Sequence, residues 1–478
     1  MDILFVSSEV APYVKVGGLA DVAAALPKAL KSLGHKVTVV APRYPGFEEA
    51  GLMLARRLTP LAFDLGGKRY EATVFDVRLP SQVDLALIDV PGLFDRAGVY
   101  GERGEDYPDN ALRFAVFSRA VVELAKLRAE GGAPYDVLHA NDWTSALACR
   151  YAEEHLPAGP RTVLTIHNIA HQGVFPKAAL GEIGLTAKDF TLDGIEFYGG
   201  INVLKQGIRS AGLVTTVSAT YAKEIQTESG GAKLHGVLAS KPRVLGILNG
   251  VDYGVWNPAT DSVIATRYDA EDASGKARCK DALQRELGLP TDTGGPVVAY
   301  VGRMVEQKGV DLVAECIPKI LRGSEAQVVV AGGGEPGLVA AVRGAVEKSH
   351  GRAVLCEDAA EALVHRIFAG ADILLVPSRF EPCGLVQMYA QRYGALPVAH
   401  AVGGLVDTIV DCDAKLETGT GFLFDEPTGA ALLGATQRAI AAYQDARWPS
   451  LRRRVMRLDL AWDRAARQYE AAYKSLSK

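Results

Sequence analysis

The sequence predicts an α/β protein of two Rossmann-like, doubly wound domains facing each other across a deep cleft, with a C-terminal helix crossing back to the first domain. Three observations predict it. Short apolar runs of strand length alternate with segments of helical periodicity along the chain, the mark of parallel sheets covered by helices. Its 478 residues exceed what one core usually holds, and the 48% hydrophobic content supplies apolar surface for two. One pattern occurs twice, Val16-Gly17-Gly18-Leu19-Ala20-Asp21 and Val402-Gly403-Gly404-Leu405-Val406-Asp407, each where a helix is expected to begin. The expected divisions are 1–250, 251–455 and a returning helix over 456–478.

The first βαβ unit reads as a strand at 3–6, a loop holding Pro12, Gly17 and Gly18, a helix from Leu19 to Leu33 closed by Gly34, and a strand from Val37 to Ala41. Further strands are expected at 72–77, 84–89, 137–140, 162–166, 215–218 and 244–248, completing a mostly parallel sheet. A Pro- and Gly-bearing connection with a Lys/Arg-rich helix spans 251–295. The rhythm then restarts, with strands at 297–301, 327–331, 353–355, 373–376 and 396–400 and helices at 309–321, 337–348 and 385–393. A last helix near 460–476 carries Trp462, Ala466, Tyr469 and Tyr473 at helical spacing, a stripe suited to packing.

The net charge of −4 gives no electrostatic footprint for nucleic acid or an anionic membrane, so basic groups here are expected to serve one small anion. The six cysteines form no CxxC pair and no metal spacing with histidine, which suits a reducing cytoplasm. The start Met1-Asp2-Ile3-Leu4-Phe5-Val6 is too short and too uncharged for a signal peptide, and no apolar run approaches the roughly 20 residues that span a bilayer. A cytoplasmic protein is expected.

In open parallel sheets ligands collect beyond the carboxyl ends of strands, so motifs there read as functional first. Lys15-Val16-Gly17-Gly18 qualifies: the glycines allow close backbone approach to a diphosphate, helix-start N–H groups point at it and Lys15 adds charge, although a tight turn beside a surface lysine fits the same residues. Arg303 and Lys308, just after the strand ending at Val301, read as a phosphate clamp that stabilises charge building on a departing diphosphate. The run from Gly332 to Gly337 fits either a nucleotide-lining loop or a glycine-rich turn. His167 follows an apolar strand and reads as a hydrogen-bonding group toward a sugar. His171 lies four residues on, but Asn168 stands where a zinc-binding HExxH helix needs its glutamate. Asp142 ends another strand, as an acceptor for substrate hydroxyls or as a helix N-cap. Glu381-Pro382-Cys383-Gly384-Leu385 combines a carboxylate, a proline at a helix start and a glycine that bares N–H groups, which reads as a hexose clamp with Cys383 as a small residue packed under the ring. Asp411-Cys412-Asp413 has the form of a DxD metal motif, but it lies after a helix and no metal is assigned to it.

Taken in order, Lys15 to Asp21, Asp109 to Phe114, Ile166-His167-Asn168, Gly246 to Asp252 with Trp256-Asn257-Pro258, Gly302 to Gly309, Glu381 to Gln387, Gly403-Gly404-Leu405 and Trp462 to Tyr469 resemble the bacterial glycogen synthase and plant starch synthase family, retaining glucosyltransferases of GT-B architecture. The resemblance covers nearly the whole chain. It implies transfer of glucose from ADP-glucose to the non-reducing end of an α-1,4-glucan (glycogen), the first domain taking the acceptor and the second the nucleotide sugar. It implies that Lys15, Gly18, Arg303 and Lys308, with Gly17 in the same turn, hold the diphosphate and that Asp21 sits near the ribose. His167, Asn249, Glu381, Cys383 and Gly384, with Leu385 beside them, would surround the glucose. Neither a metal, a cofactor nor a covalent nucleophile is implied; the departing phosphate assists deprotonation of the acceptor hydroxyl.

Two positions depart from the family pattern, Val16 in place of a threonine and Asn141 in place of a histidine, and both bear on hydrogen bonding rather than on charge essential to the chemistry. Tyr389 stands where related glycosyltransferases carry a second glutamate. Three competing readings remain: a UDP-sugar transferase, since a phosphate clamp says little about the base; a non-catalytic glucan-binding protein, which has no use for a leaving-group clamp; and an NAD oxidoreductase, disfavoured because GxGxxG is absent from the first loop and Asp21 lies inside the first helix.

Overall fold

The structure, a computed structural model, describes residues 1–291 and 293–476. Asp292, in the expected connection, and the last two positions of the expected tail lie outside the described residues. Two compact units are present, Met1–Asn249 together with the chain from Trp462 onward, and Gly250–Ala461.

In the first unit, parallel strands lie in the order Val244–Gly246, Leu213–Thr216, Arg161–Ile166, Val137–Asn141, Asp2–Val6, Lys36–Pro42 and Asp84–Asp89. Ile3, Leu4, Phe5 and Val6 are fully buried, as expected of a strand covered by helices on both faces. Beyond Asp84–Asp89 the pairing turns antiparallel with Lys68–Arg78, which also pairs with Leu61–Leu65 through a tight turn at Gly66 and Gly67, both with positive φ (58° and 74°). The helix Gly18–Ser32 ends at Leu33, and Gly34 (φ 88°) turns the chain into Lys36–Pro42.

The long helix Asn110–Glu130 has no counterpart in the sequence reading, and Trp143–His155 enters it only through the alternative that Asp142 caps a helix. Every residue from Asn110 to Ala125 except Leu112 is buried, so the helix lacks the one-sided periodicity that betrays a surface helix. The helix Trp462–Ser475 packs against Gly18–Ser32 with Trp462, Ala466, Tyr469 and Tyr473 buried. Its Tyr473 hydroxyl meets His139 Nδ1 at 2.7 Å, and Arg161 donates to the Tyr473 and Leu476 carbonyls at 3.2 and 3.0 Å. Burial pushes the His139 ring down to about 3, so it is neutral at pH 7.

In the second unit all strand pairs are parallel, in the order Ala353–Cys356, Gln327–Ala331, Val297–Val301, Ile373–Val376, Leu396–His400 and Phe422–Phe424. Sequence order reverses between Val297–Val301 and Ile373–Val376, as it does in the first unit between Asp2–Val6 and Val137–Asn141. Such reversals open a crevice beyond the strand ends where ligands bind. The loops that leave these four strands carry most of the residues picked out from sequence. No helix among the described residues is long and apolar enough to cross a membrane.

Candidate active site

In the first unit, the loop after Asp2–Val6 is organised by Glu9, which is only 3% exposed. Its Oε2 accepts from the N–H groups of Val16 (2.7 Å) and Gly17 (2.8 Å), and its Oε1 accepts from the Tyr100 hydroxyl (2.5 Å). Two amides expected to face a diphosphate are therefore satisfied from within the protein. Lys15 donates to Asp21 Oδ1 at 2.8 Å, so these two members of the motif are held side by side at the helix start. Sequence reasoning missed Glu9, whose one signal was its place just beyond the first strand.

Asp142 leaves Val137–Asn141 with φ 55°, a left-handed conformation costly for any residue with a Cβ. Its side chain makes no N-cap bond to Trp143–His155; Oδ1 accepts instead from the His167 N–H at 2.7 Å. Burial pushes this carboxyl up to about 7. Asn141 donates from Nδ2 to the Val6 carbonyl (2.9 Å), which turns Oδ1 toward His167 Nε2, 2.9 Å away. Burial pushes the His167 ring down to about 3, so it is neutral, and the Asn141 oxygen selects the tautomer with the proton on Nε2. The departure at position 141 thus orients His167. Asn249 is buried, and its Oδ1 has no hydrogen-bond partner among the described residues, so this acceptor is short of a donor.

In the second unit, Lys308 Nζ donates to Glu381 Oε2 at 2.6 Å, and Ser378 Oγ donates to the same oxygen at 2.8 Å. Glu381 is 4% exposed. Lys308 and Glu381 follow the adjacent strands Val297–Val301 and Ile373–Val376, and their loops are zipped together. Gln307 donates to the Phe380 carbonyl (3.2 Å), and Arg379 pairs with Asp311 through two bonds of 2.9 and 2.6 Å. Gly309 holds φ 65°, and a Cβ there would collide with the Pro377 carbonyl, so this close approach needs glycine. Arg303 is exposed on the same loop, its carbonyl accepting from the Tyr300 hydroxyl at 3.0 Å.

Side chains at Gly332 and Gly334 would collide with the carbonyls of Gly302 and Met304, so that run is explained by packing under the Arg303 loop. Cys383 is buried and Gly384 has φ 71°. The following helix is Val386–Arg392, so Pro382 does not open it as expected, and Leu385 occupies the N-cap position. Asp411 accepts from the Leu423 N–H (2.7 Å) and pairs with Arg438 (2.8 Å), while Asp413 accepts from the Thr418 N–H (3.0 Å). Both carboxylates of the DxD segment thus shape local turns.

The family model for the starch synthase catalytic domain matches residues 2–240, and that for glycosyl transferases group 1 matches 295–441. Glycogen synthases from Anaeromyxobacter sp. (strain Fw109-5) and Thioalkalivibrio sulfidiphilus are 46% and 45% identical, each alignment covering 100% of both chains. The catalytic domain of starch synthase IV from Arabidopsis thaliana, solved bound to ADP and acarbose, superposes with a TM-score of 0.91 at 34% identity over 99% of both chains. Sucrose-phosphate synthase from Thermosynechococcus elongatus, at 19% identity, shares the fold with a TM-score of 0.63 over 99% of this chain and 98% of its own. The architecture is that of the GT-B glycosyltransferases.

Proposed function

Because the chain belongs to the glycogen synthase and starch synthase family, we infer that it transfers glucose from ADP-glucose to the non-reducing end of an α-1,4-glucan with retention of configuration. The observation that carries this reading is the Lys308–Glu381 pair at the reversal point of the second sheet, with Arg303 exposed on the same loop. Lys308 and Arg303 stabilise charge on the diphosphate as it leaves, which favours the transition state over the bound donor. Glu381 keeps Oε1 for a glucose hydroxyl while Lys308 and Ser378 hold Oε2, an orienting role rather than that of a nucleophile. Cys383, Gly384 and Leu385 flank that hydroxyl acceptor.

In the first unit, Lys15, Gly18 and Asp21 serve the donor, Gly17 shaping the loop through the amide that Glu9 holds, and His167, Asp142 and Asn249 serve the sugar. A neutral His167 with a fixed Nε2 proton suits hydrogen bonding to hydroxyls better than proton transfer. In the reaction the C1–oxygen bond to the diphosphate breaks, the bonding pair leaving with ADP. The 4-hydroxyl oxygen of the acceptor bonds to C1 from the same face, and its proton passes to the departing phosphate oxygen. A cytoplasmic location fits the cysteine spacing and the nature of both substrates.

Incubation with ADP-[14C]glucose and glycogen tests the reading. Label is expected in α-1,4-linked polymer, with UDP-glucose a poorer donor; folded protein that incorporates none refutes it.

A further inference from the structure

In the second unit, the strand Leu396–His400 ends on a histidine whose ring meets two backbones. His400 is 5% exposed, with Nδ1 2.8 Å from the Ser378 carbonyl and Nε2 3.1 Å from the Asp425 carbonyl. A carbonyl can only accept, so the ring makes both bonds together only when each nitrogen carries a proton to donate. The Phe424 ring stacks on it with centroids 5.5 Å apart and 24° between planes, which covers a face of the imidazole and leaves its edge to the two oxygens.

Packing alone does not call for a histidine at this place. The rest of the strand, Leu396 to Ala399, is apolar and buried, and a polar ring in such surroundings is costly unless its hydrogen bonds repay the lost water. What the ring grips is the turn that carries Glu381. The residue whose carbonyl accepts from His400 is the one whose hydroxyl donates to Glu381 Oε2 at 2.8 Å, beside Lys308. The chain just past the ring is fixed as well, the Ala401 N–H donating to the Phe424 carbonyl at 2.9 Å. Three residues further on, the Gly404 N–H reaches the Glu381 carbonyl itself. The segment 400–404 therefore holds the Glu381 turn at its start and at the carboxylate-bearing residue.

We propose that His400 is a positioning residue for glucosyl transfer, acting through Ser378 to fix the direction of the Glu381 carboxylate. The proposal deepens the transferase reading above and rests on it. A carboxylate whose Oε2 takes two donors presents Oε1 in one direction. Loosening the Ser378 backbone frees the hydroxyl, lets the carboxylate turn about its last bond, and leaves the glucose in the reacting pose for less of the time. Such a loss falls on turnover and spares the hold on the polymer.

The test is a double-variant cycle in the full chain, with folding checked by near-ultraviolet circular dichroism. His400→Gln keeps a polar side chain but donates from one nitrogen only, and it is expected to lower kcat roughly tenfold with the KM for glycogen changed by less than about twofold. Ser378→Ala, which removes a single hydroxyl, is expected to lower kcat by a similar factor. Because both act on the same carboxylate oxygen, the double variant is expected to lose no more than the larger single loss. Losses that multiply in the double variant overturn the route through Ser378, and parental kcat in folded His400→Gln overturns the role of the ring. Parental kcat in Ser378→Ala overturns the proposal by itself, even where His400→Gln does not fold. A folded parent that transfers no glucose refutes the transferase reading instead, and the proposal with it.

Discussion

Val16-Gly17-Gly18-Leu19 and Val402-Gly403-Gly404-Leu405 share one run of residues, yet a Cβ added at Gly17, the first glycine of its pair, meets open space, while one at Gly404, the second of its pair, collides with the backbone of Cys383. In the first segment a buried carboxylate, Glu9, takes up the loop amides, and the glycines open a fifteen-residue helix, Gly18–Ser32. In the second, the Gly404 N–H donates to the Glu381 carbonyl at 3.0 Å, and the missing side chain lets two backbones touch. The first glycine pair shapes a loop around an acid; the second seats the Glu381–Cys383 segment. A shared four-residue run leaves the role to whatever stands opposite, and here that is a charge in one unit and a peptide backbone in the other.

The largest expected effect tests the charged side of this contrast. Lys308→Ala should lower kcat by about 10²–10³-fold while glycogen retention stays near that of the parent, because it removes a leaving-group cation and not a polymer contact; equal losses in both measurements would point to a mere binder. Gly404→Ala should cost ~3 kcal/mol or more in urea unfolding, through overpacking against Cys383. Gly17→Ala, in ordinary extended backbone (φ −143°) facing open space, should cost about 0.5 kcal/mol or less. Similar penalties at the two positions would erase the distinction. Glu9→Gln should raise the KM for ADP-glucose several-fold in folded protein, since a neutral amide oxygen accepts more weakly from Val16 and Gly17 than a carboxylate does; an unchanged KM would show that the loop holds itself.

The last test is of pH. His139 and His167, held near 3 in the fold against an ordinary 6.5, take up protons more readily once unfolded, so their share of stability is complete above about pH 6.5 and is lost as pH falls toward 3. Asp142, raised from 3.8 to about 7, holds its proton more tightly in the fold, so its share is present in acid and is lost as pH rises through 7. Two rings outweigh one carboxyl, and urea midpoints should fall on acidification below pH 6.5. Asp142→Asn should steepen that fall, and a flat profile in the parent would contradict the burial of both rings.

Much of the fold was legible. The five expected strands of the second sheet stand where their apolar runs placed them, since strands buried on both faces read as continuous hydrophobic segments. The helices Asn110–Glu130 and Gly429–Tyr443 were passed over, because burial on several sides, or a run of small residues such as Ala430, Ala431, Ala435, Ala439, Ala441 and Ala442, blurs helical period. At the site, Lys308 and Glu381 were visible as residues following strands, but their pairing across 73 positions was not. Glu9 escaped notice because nothing in its place beside the first strand betrays the bonds it accepts from Val16, Gly17 and Tyr100, and Asn141, marked only as a departure from the family pattern, gave no sign of its bonds to Val6 and His167. Asp142 was picked out, but the choice between cap and acceptor depended on a φ angle that composition cannot report.

The helix Trp462–Ser475 belongs to the unit begun by Met1, while Gly250–Ala461 is a continuous stretch of chain. During synthesis the second unit can therefore close while the first still lacks the helix that packs on Gly18–Ser32 and meets His139, so the earlier half of the chain reaches its finished form last. A nascent chain stalled before Trp462 would leave that face of the Gly18–Ser32 helix bare, and a chaperone that recognises apolar surface would meet it on the ribosome.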